Sequence, residues 1–122
     1  MAEPISVLYV DDEESLRLLV KDQLVEKGYS VETADDGDTA LDILKNKNFQ
    51  VILLDIRMPR LNGIEVLKAL KQRKTTSRII ILTAVSDLGV AIEAVKNGAN
   101  DYLTKPYQLN GLLDAIRRVM AK

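Results

Sequence analysis

The 122-residue chain contains neither cysteine nor histidine. That double absence removes disulfides, thiol nucleophiles, Ser-His and Cys-His dyads and zinc sites. Imidazole acid–base chemistry goes with them. The formal charge is −1, so the basic excess that would neutralise a phosphate backbone is missing and direct nucleic-acid binding is not expected. No apolar run approaches the ~20 residues of a membrane span. The N-terminal stretch MAEPISVLYV has neither the basic start nor the small-residue cleavage site of a signal peptide. The expectation is a cytoplasmic protein without a membrane segment, in which carboxylate, hydroxyl, lysine, arginine and any hard cation drawn by carboxylates carry the chemistry.

What is present suits one globular domain over residues 1–122, with 47% apolar and 29% charged residues and enough length to bury a core. Strand candidates are ISVLYVD (Ile5 to Asp11), a short run at Val31 to Ala34, FQVILLD (Phe49 to Asp55), RIIILT (Arg78 to Thr83) and DYLTK (Asp101 to Lys105). Between them lie helical patterns. The first carries Leu16, Leu19, Val20 and Leu24 and stops at Gly28; the second carries Ala40, Leu41 and Leu44; the third carries Ile64, Leu67 and Leu70; the fourth runs from about Ser86 to Gly98. The fifth, roughly Gln108 to Met120, repeats Leu109, Leu112, Leu113 and Ile116 on one face.

Strict strand–helix alternation implies an α/β fold, a parallel sheet with helices on both faces. Of the two common strand orders, the flavodoxin-like 2-1-3-4-5 order of a (βα)5 three-layer sandwich fits this length better than half of a dinucleotide-binding fold. Neither GxGxxG nor GxxxxGK[ST] occurs, and acids after the first strand would repel the phosphates such a loop cradles.

Ligands of such sheets bind at the carboxyl ends of strands. Those ends carry Asp11 and Asp12, then Asp55, Thr83 and Lys105, and the 2-1-3-4-5 order makes the four strands contiguous around Asp55. Taken singly each residue has an ordinary use: acids favour helix N-termini, Thr83 suits a strand or cap, and a lysine before Pro106 suits a solvated loop. Together they form one polar cluster at one sheet edge. Three neighbouring carboxylates need cationic compensation, and oxygen donors alone favour Mg²⁺, with Mn²⁺ as an alternative. A cation, an ammonium, a hydroxyl and a carboxylate suit phosphoryl transfer, with Asp55 as the central acceptor.

The motifs VDDE, LLDIRMPRLNG, ILTA and DYLTKPY, in that order over nearly the whole chain, resemble the receiver domain of two-component response regulators, of the chemotaxis-regulator type. The resemblance implies a phospho-accepting signalling switch, not an enzyme beyond its own Mg²⁺-dependent phosphorylation and dephosphorylation. On that likeness Asp55 would take the phosphoryl group from a sensor histidine kinase or phosphotransfer protein. Asp12, Asp55 and the main-chain carbonyl of Arg57 would bind Mg²⁺ directly, and Asp11 would reach it mainly through water. Lys105 would pair with phosphoryl oxygens, Thr83 would move its hydroxyl toward them, Tyr102 would rotate inward as the switch aromatic, and Pro106 would follow a cis peptide bond. In that family the positions of Arg57 and Val85 affect hydrolysis.

The resemblance places the readout for an output protein or domain on the fourth helix, fifth strand and fifth helix, with Val90, Lys96, Tyr102 and Tyr107. Both a monomer and a phosphorylation-dependent dimer fit it. Gly111 and Ala115 stand where a Glu and an Arg of an interlocking dimer set are expected, which argues against that dimer. A self-standing regulator and a receiver cut from a longer protein stay open. Two alternatives are a constitutive pseudo-receiver and a haloacid-dehalogenase-type phosphatase, whose nucleophile would end the first strand in a DxD motif that Asp11-Asp12-Glu13 does not match.

Overall fold

A computed structural model describes residues 3–121. The elements alternate as β1 (Ser6–Val10), α1 (Glu14–Glu26), β2 (Ser30–Ala34), α2 (Gly37–Asn46), β3 (Val51–Asp55), α3 (Gly63–Gln72), β4 (Arg78–Ala84), α4 (Leu88–Lys96), β5 (Asp101–Lys105) and α5 (Leu109–Met120). The five strands form one parallel sheet in the expected order β2-β1-β3-β4-β5.

Period-two alternation sends successive side chains of each strand to opposite faces. Leu8, Ile52, Leu54, Ile79 and Ile81 meet Ala40, Val66, Leu67, Ala91 and Ala94 of α2, α3 and α4. Val7, Tyr9, Leu53, Ile80 and Leu82 meet Val20 and Leu24 of α1 and Leu112, Leu113 and Ile116 of α5. Both faces are dry, which is why these strands read as unbroken apolar runs rather than alternating ones. β3 is buried along its whole length, whereas β5 at the sheet edge is half-buried throughout.

Local signals set the boundaries. Gly28 adopts φ 95°, and the Tyr29 N–H closes on the Leu24 carbonyl at 3.0 Å to end α1. Asn62 and Glu65 form a reciprocal capping box that starts α3. Gly63 in its first turn lies under the Asp55 carbonyl oxygen, only 2.4 Å from where a Cβ would sit.

Two expectations change in detail. The fourth helix does not start at Ser86: a 3-10 turn over Val85–Asp87 comes first, which gives the segment after Thr83 a tighter geometry than an α-helix. Leu19, assigned to the apolar face of α1, is 53% exposed, because the helix turns only Val20 and Leu24 fully onto the sheet. No helix among the described residues is long and apolar enough to cross a membrane.

Candidate functional site

Tyr9 and Leu53 belong to the core facing α1 and α5. Two residues further on, Asp11 and Asp55 therefore emerge on that same side of the sheet. Lys105 ends β5 two residues after Leu103, which packs on that core as well. The result is direct contact among strand ends far apart in sequence. Lys105 Nζ lies 3.1 Å from Asp11 Oδ2 and 3.2 Å from Asp55 Oδ2. Asp12, exposed on the loop after β1, completes a set in which one carboxylate oxygen each of Asp11, Asp12 and Asp55 lie within 4.8 Å of one another.

Asp11 is fully buried. Its Oδ1 accepts the Glu13 N–H at 2.9 Å, and its Oδ2 accepts both Lys105 and the Tyr9 hydroxyl, the latter at 3.0 Å. Its carbonyl accepts Arg17 Nη1 of α1 at 2.8 Å. Asp55 is 5% exposed. Burial pushes its carboxyl up to about 6 against the opposing pull of Lys105, with the negative charge of Asp11 adding to the rise and the Arg57 main-chain N–H lowering it. Burial acts to lower Lys105, but the carboxylates of Asp55 and Asp11 outweigh it and leave the ammonium raised. The site is thus short of positive charge, with one ammonium facing three carboxylates.

All donors in this cluster are oxygens and one carboxylate is solvent-facing, a set that suits a hard, partly hydrated divalent cation such as Mg²⁺. Burial first, and the Asp11 charge after it, raise Asp55, and a bound cation would offset both by favouring the ionised carboxylate. Beside Asp12 opens a cavity of about 420 Å³, lined also by Ile56, Arg57, Met58 and Val90.

Thr83 lies on the other side of the sheet from Lys105, following Ile81 of the α4-facing core. It is 1% exposed, and its hydroxyl donates to the Ala84 carbonyl at 3.1 Å rather than to Asp55. Tyr102 pairs with Ile81 across the strands and is half-buried against the same α4-facing core. The Lys105–Pro106 peptide bond is cis. Val85 is 68% exposed.

Two participants, Asp87 and Tyr9, have no role in the sequence-based assignment, and Tyr107 makes a contact that assignment did not contain. Asp87 accepts from Arg57 through Nε at 2.7 Å and Nη2 at 2.6 Å, and this pairing holds its carboxyl below the usual range. Tyr9 is fully buried beneath Asp11. Tyr107, expected among the readout residues, is half-buried and brings its hydroxyl to within 2.6 Å of the Tyr9 hydroxyl. Ala115 is fully buried against the sheet with Leu112 and Ile116, so that position belongs to the core and offers no surface place for a dimer charge.

Residues 7–117 match the family described as the response regulator receiver domain. Response regulator MprA of Mycobacterium sp. (strain KMS) is 37% identical over 119 residues, covering 98% of this chain and 52% of that protein. The DNA-binding transcriptional regulator NtrC of Klebsiella pneumoniae is 39% identical over 112 residues, which span 92% of this chain and 24% of its own length. The chain spans about half the length, or less, of these two relatives. Among solved structures, the Vibrio cholerae chemotaxis protein CheY4 superposes with a TM-score of 0.88 at 36% identity, over 95% of this chain and 98% of that one.

Proposed function

The chain belongs to the receiver domains of two-component response regulators, and we propose that Asp55 is its phosphoryl acceptor, with residues 1–122 acting as one receiver unit in the cytoplasm. The observation that carries this reading is Lys105 held between Asp11 and Asp55 at 3.1 and 3.2 Å, with Asp12 on the same rim.

The reaction needs Asp55 ionised. An Asp55 oxygen attacks phosphorus in line, forming a P–O bond while the bond to the donor, an imidazole nitrogen of a partner histidine protein or the acyl oxygen of acetyl phosphate, breaks and takes its electron pair. Mg²⁺, held by Asp12, Asp55 and the Arg57 carbonyl, with Asp11 through water, would supply charge neutralisation. Lys105 moves from the Asp55 carboxylate to the transferred oxygens. Thr83 leaves the Ala84 carbonyl and donates to another of them, and Tyr102 follows into the space vacated. These 122 residues hold no histidine, so the donor lies outside them, in a sensor kinase or phosphotransfer unit or as a small acyl phosphate.

Displacement of Thr83 acts on the 3-10 turn Val85–Asp87 and on α4, so the change is read on the α4-β5-α5 surface by an output protein or domain. Catalysis is confined to formation and hydrolysis of the chain's own acyl phosphate. The phosphatase alternative puts the nucleophile at the end of β1, where Asp11 is fully buried and accepts three donors, leaving it no approach for a substrate.

Incubation with Mg²⁺ and acetyl phosphate, followed by intact mass measurement, tests the assignment. Wild type gains one labile phosphoryl group, Lys105→Ala gains it slowly, and Asp55→Asn stays unmodified. Equal labelling of Asp55→Asn removes the assignment.

A further inference from the structure

We propose that Tyr9 is a positioning residue for phosphoryl transfer, whose hydroxyl, supported by Tyr107, keeps Asp11 satisfied while Lys105 leaves for the phosphoryl oxygens. The inference rests on Asp55 being the acceptor.

The hydrogen bonds have a direction. Tyr9 has one hydroxyl proton and gives it to Asp11 Oδ2 at 3.0 Å. The 2.6 Å contact between the Tyr9 and Tyr107 oxygens must then use the Tyr107 proton. The order runs from Tyr107 to Tyr9 to Asp11, and Asp11 Oδ2 also holds Lys105, which in turn reaches Asp55. Tyr9 and Asp11 are both 0% exposed, so no bulk water stands ready to replace a lost donor.

Phosphorylation removes a donor from that oxygen. The phosphoryl group on Asp55 offers Lys105 new anionic acceptors, and as Lys105 turns to them Tyr9 becomes the one side-chain donor left on Asp11 Oδ2 among the described residues. Without the Tyr9 hydroxyl the same movement would leave that buried oxygen with no side-chain donor, which is costly. Lys105 would then stay on Asp11, and the transition state at Asp55 would lose its ammonium. Neither tyrosine gives up its proton in the step. The P–O bond to Asp55 forms as the donor's bond to phosphorus breaks, and the leaving group takes the electron pair.

Tyr107 sits just past Lys105 and Pro106, on the segment that leads into α5. Tyr9 lies in β1 under the acidic pair. A contact between residues 98 positions apart thus joins the start of the last helix to the carboxylate that shares Lys105 with the acceptor.

The test uses Tyr9→Phe, which keeps the ring that fills the core, and Tyr107→Phe, which removes only the supporting donor. With saturating Mg²⁺ and acetyl phosphate, Tyr9→Phe should label about tenfold more slowly than wild type and Tyr107→Phe a few-fold more slowly. The Mg²⁺ affinity, measured by calorimetry without donor, should be unchanged. Beryllofluoride, a phosphoryl stand-in, should bind Tyr9→Phe about tenfold more weakly, as read from the Lys105 amide by NMR. In a Lys105→Ala background Tyr9→Phe should add no further slowing, since the route runs through that ammonium. Wild-type rate and beryllofluoride affinity in folded Tyr9→Phe overturn the inference alone, as does equal slowing with and without Lys105. If Tyr9→Phe does not fold, Tyr107→Phe decides by the same two readouts. A wild type that neither labels nor binds beryllofluoride overturns the acceptor assignment itself.

Discussion

Arg57 and Asp87 grip each other through two parallel hydrogen bonds, at 2.7 and 2.6 Å. The pair ties the loop that follows Asp55 to the 3-10 turn that follows Thr83. Geometry of this forked kind is directional as well as attractive. It therefore restrains the loop that must shift if Thr83 is to turn.

Asp87→Asn should loosen that loop. Amide hydrogen exchange over residues 84–88 is expected to quicken several-fold, while the strands keep wild-type protection. Unchanged exchange would mean that the turn is held by its own packing and not by Arg57.

Stability without metal should fall as pH rises. Asp55 is raised from 3.8 to about 6 by burial, so the folded chain binds its proton more tightly than the unfolded chain does. That contribution is complete below about pH 4, declines between about 4 and 6 and is lost above. In EDTA at pH 8, Asp55→Asn should resist urea better than wild type by on the order of 1 to 3 kcal/mol, with the gap closing toward pH 4. A constant gap across that range would rule out Asp55 as the titrating group.

Mg²⁺ should raise the melting temperature, and EDTA should reverse the rise. An ion binding only the folded chain contributes about 2.7 kcal/mol at a hundredfold excess over its Kd. Asp12 is exposed, so Asp12→Asn should leave the metal-free melting temperature almost unchanged yet shrink the Mg²⁺ increment. Equal increments in both proteins would place the ion elsewhere.

Gly63→Ala tests the packing beneath Asp55. Its Cβ would fall 2.4 Å from the Asp55 carbonyl oxygen and 2.9 Å from Ile56 Cα. Backbone on both sides leaves no flexible neighbour to give way. Urea denaturation should show a loss of about 1 to 3 kcal/mol, together with slower acetyl phosphate labelling as Asp55 shifts.

Gly111→Ala should do the opposite. The added methyl meets only Leu103 Cδ1, at 4.0 Å, and the residue lies inside α5. A gain of up to about 1 kcal/mol in urea is expected from helix propensity. Destabilisation would show that the position serves something other than the helix.

The sheet order and the convergence of Asp11, Asp55 and Lys105 were legible because buried parallel strands are near-continuous apolar runs, so a polar residue ending one is conspicuous. The Asp87 partner of Arg57 was not. An acid opening a helix looks like an ordinary N-terminal charge, and neither the carbonyl role of Arg57 nor its position beside the acceptor motif points to a carboxylate partner thirty residues on. Tyr9 carried a usable signal, since residues two apart in a strand share a face and Tyr9 stands two before Asp11. Tyr107 carried none, because its contact is fixed by how β5 and α5 close on the sheet. Ala115 was readable in principle: it falls three residues after Leu112 and one before Ile116, within the stripe that α5 buries. Leu19 sits in the run LRLLV, where apolar residues outnumber the places the sheet offers.

Asp55 ends the strand that is covered along its whole length, while Lys105 ends one at the border that is only half covered. A substitution in the half-covered strand disturbs fewer packed neighbours than one in the covered strand. The margin of the sheet can accordingly accept new side chains more cheaply than the strand that carries Asp55.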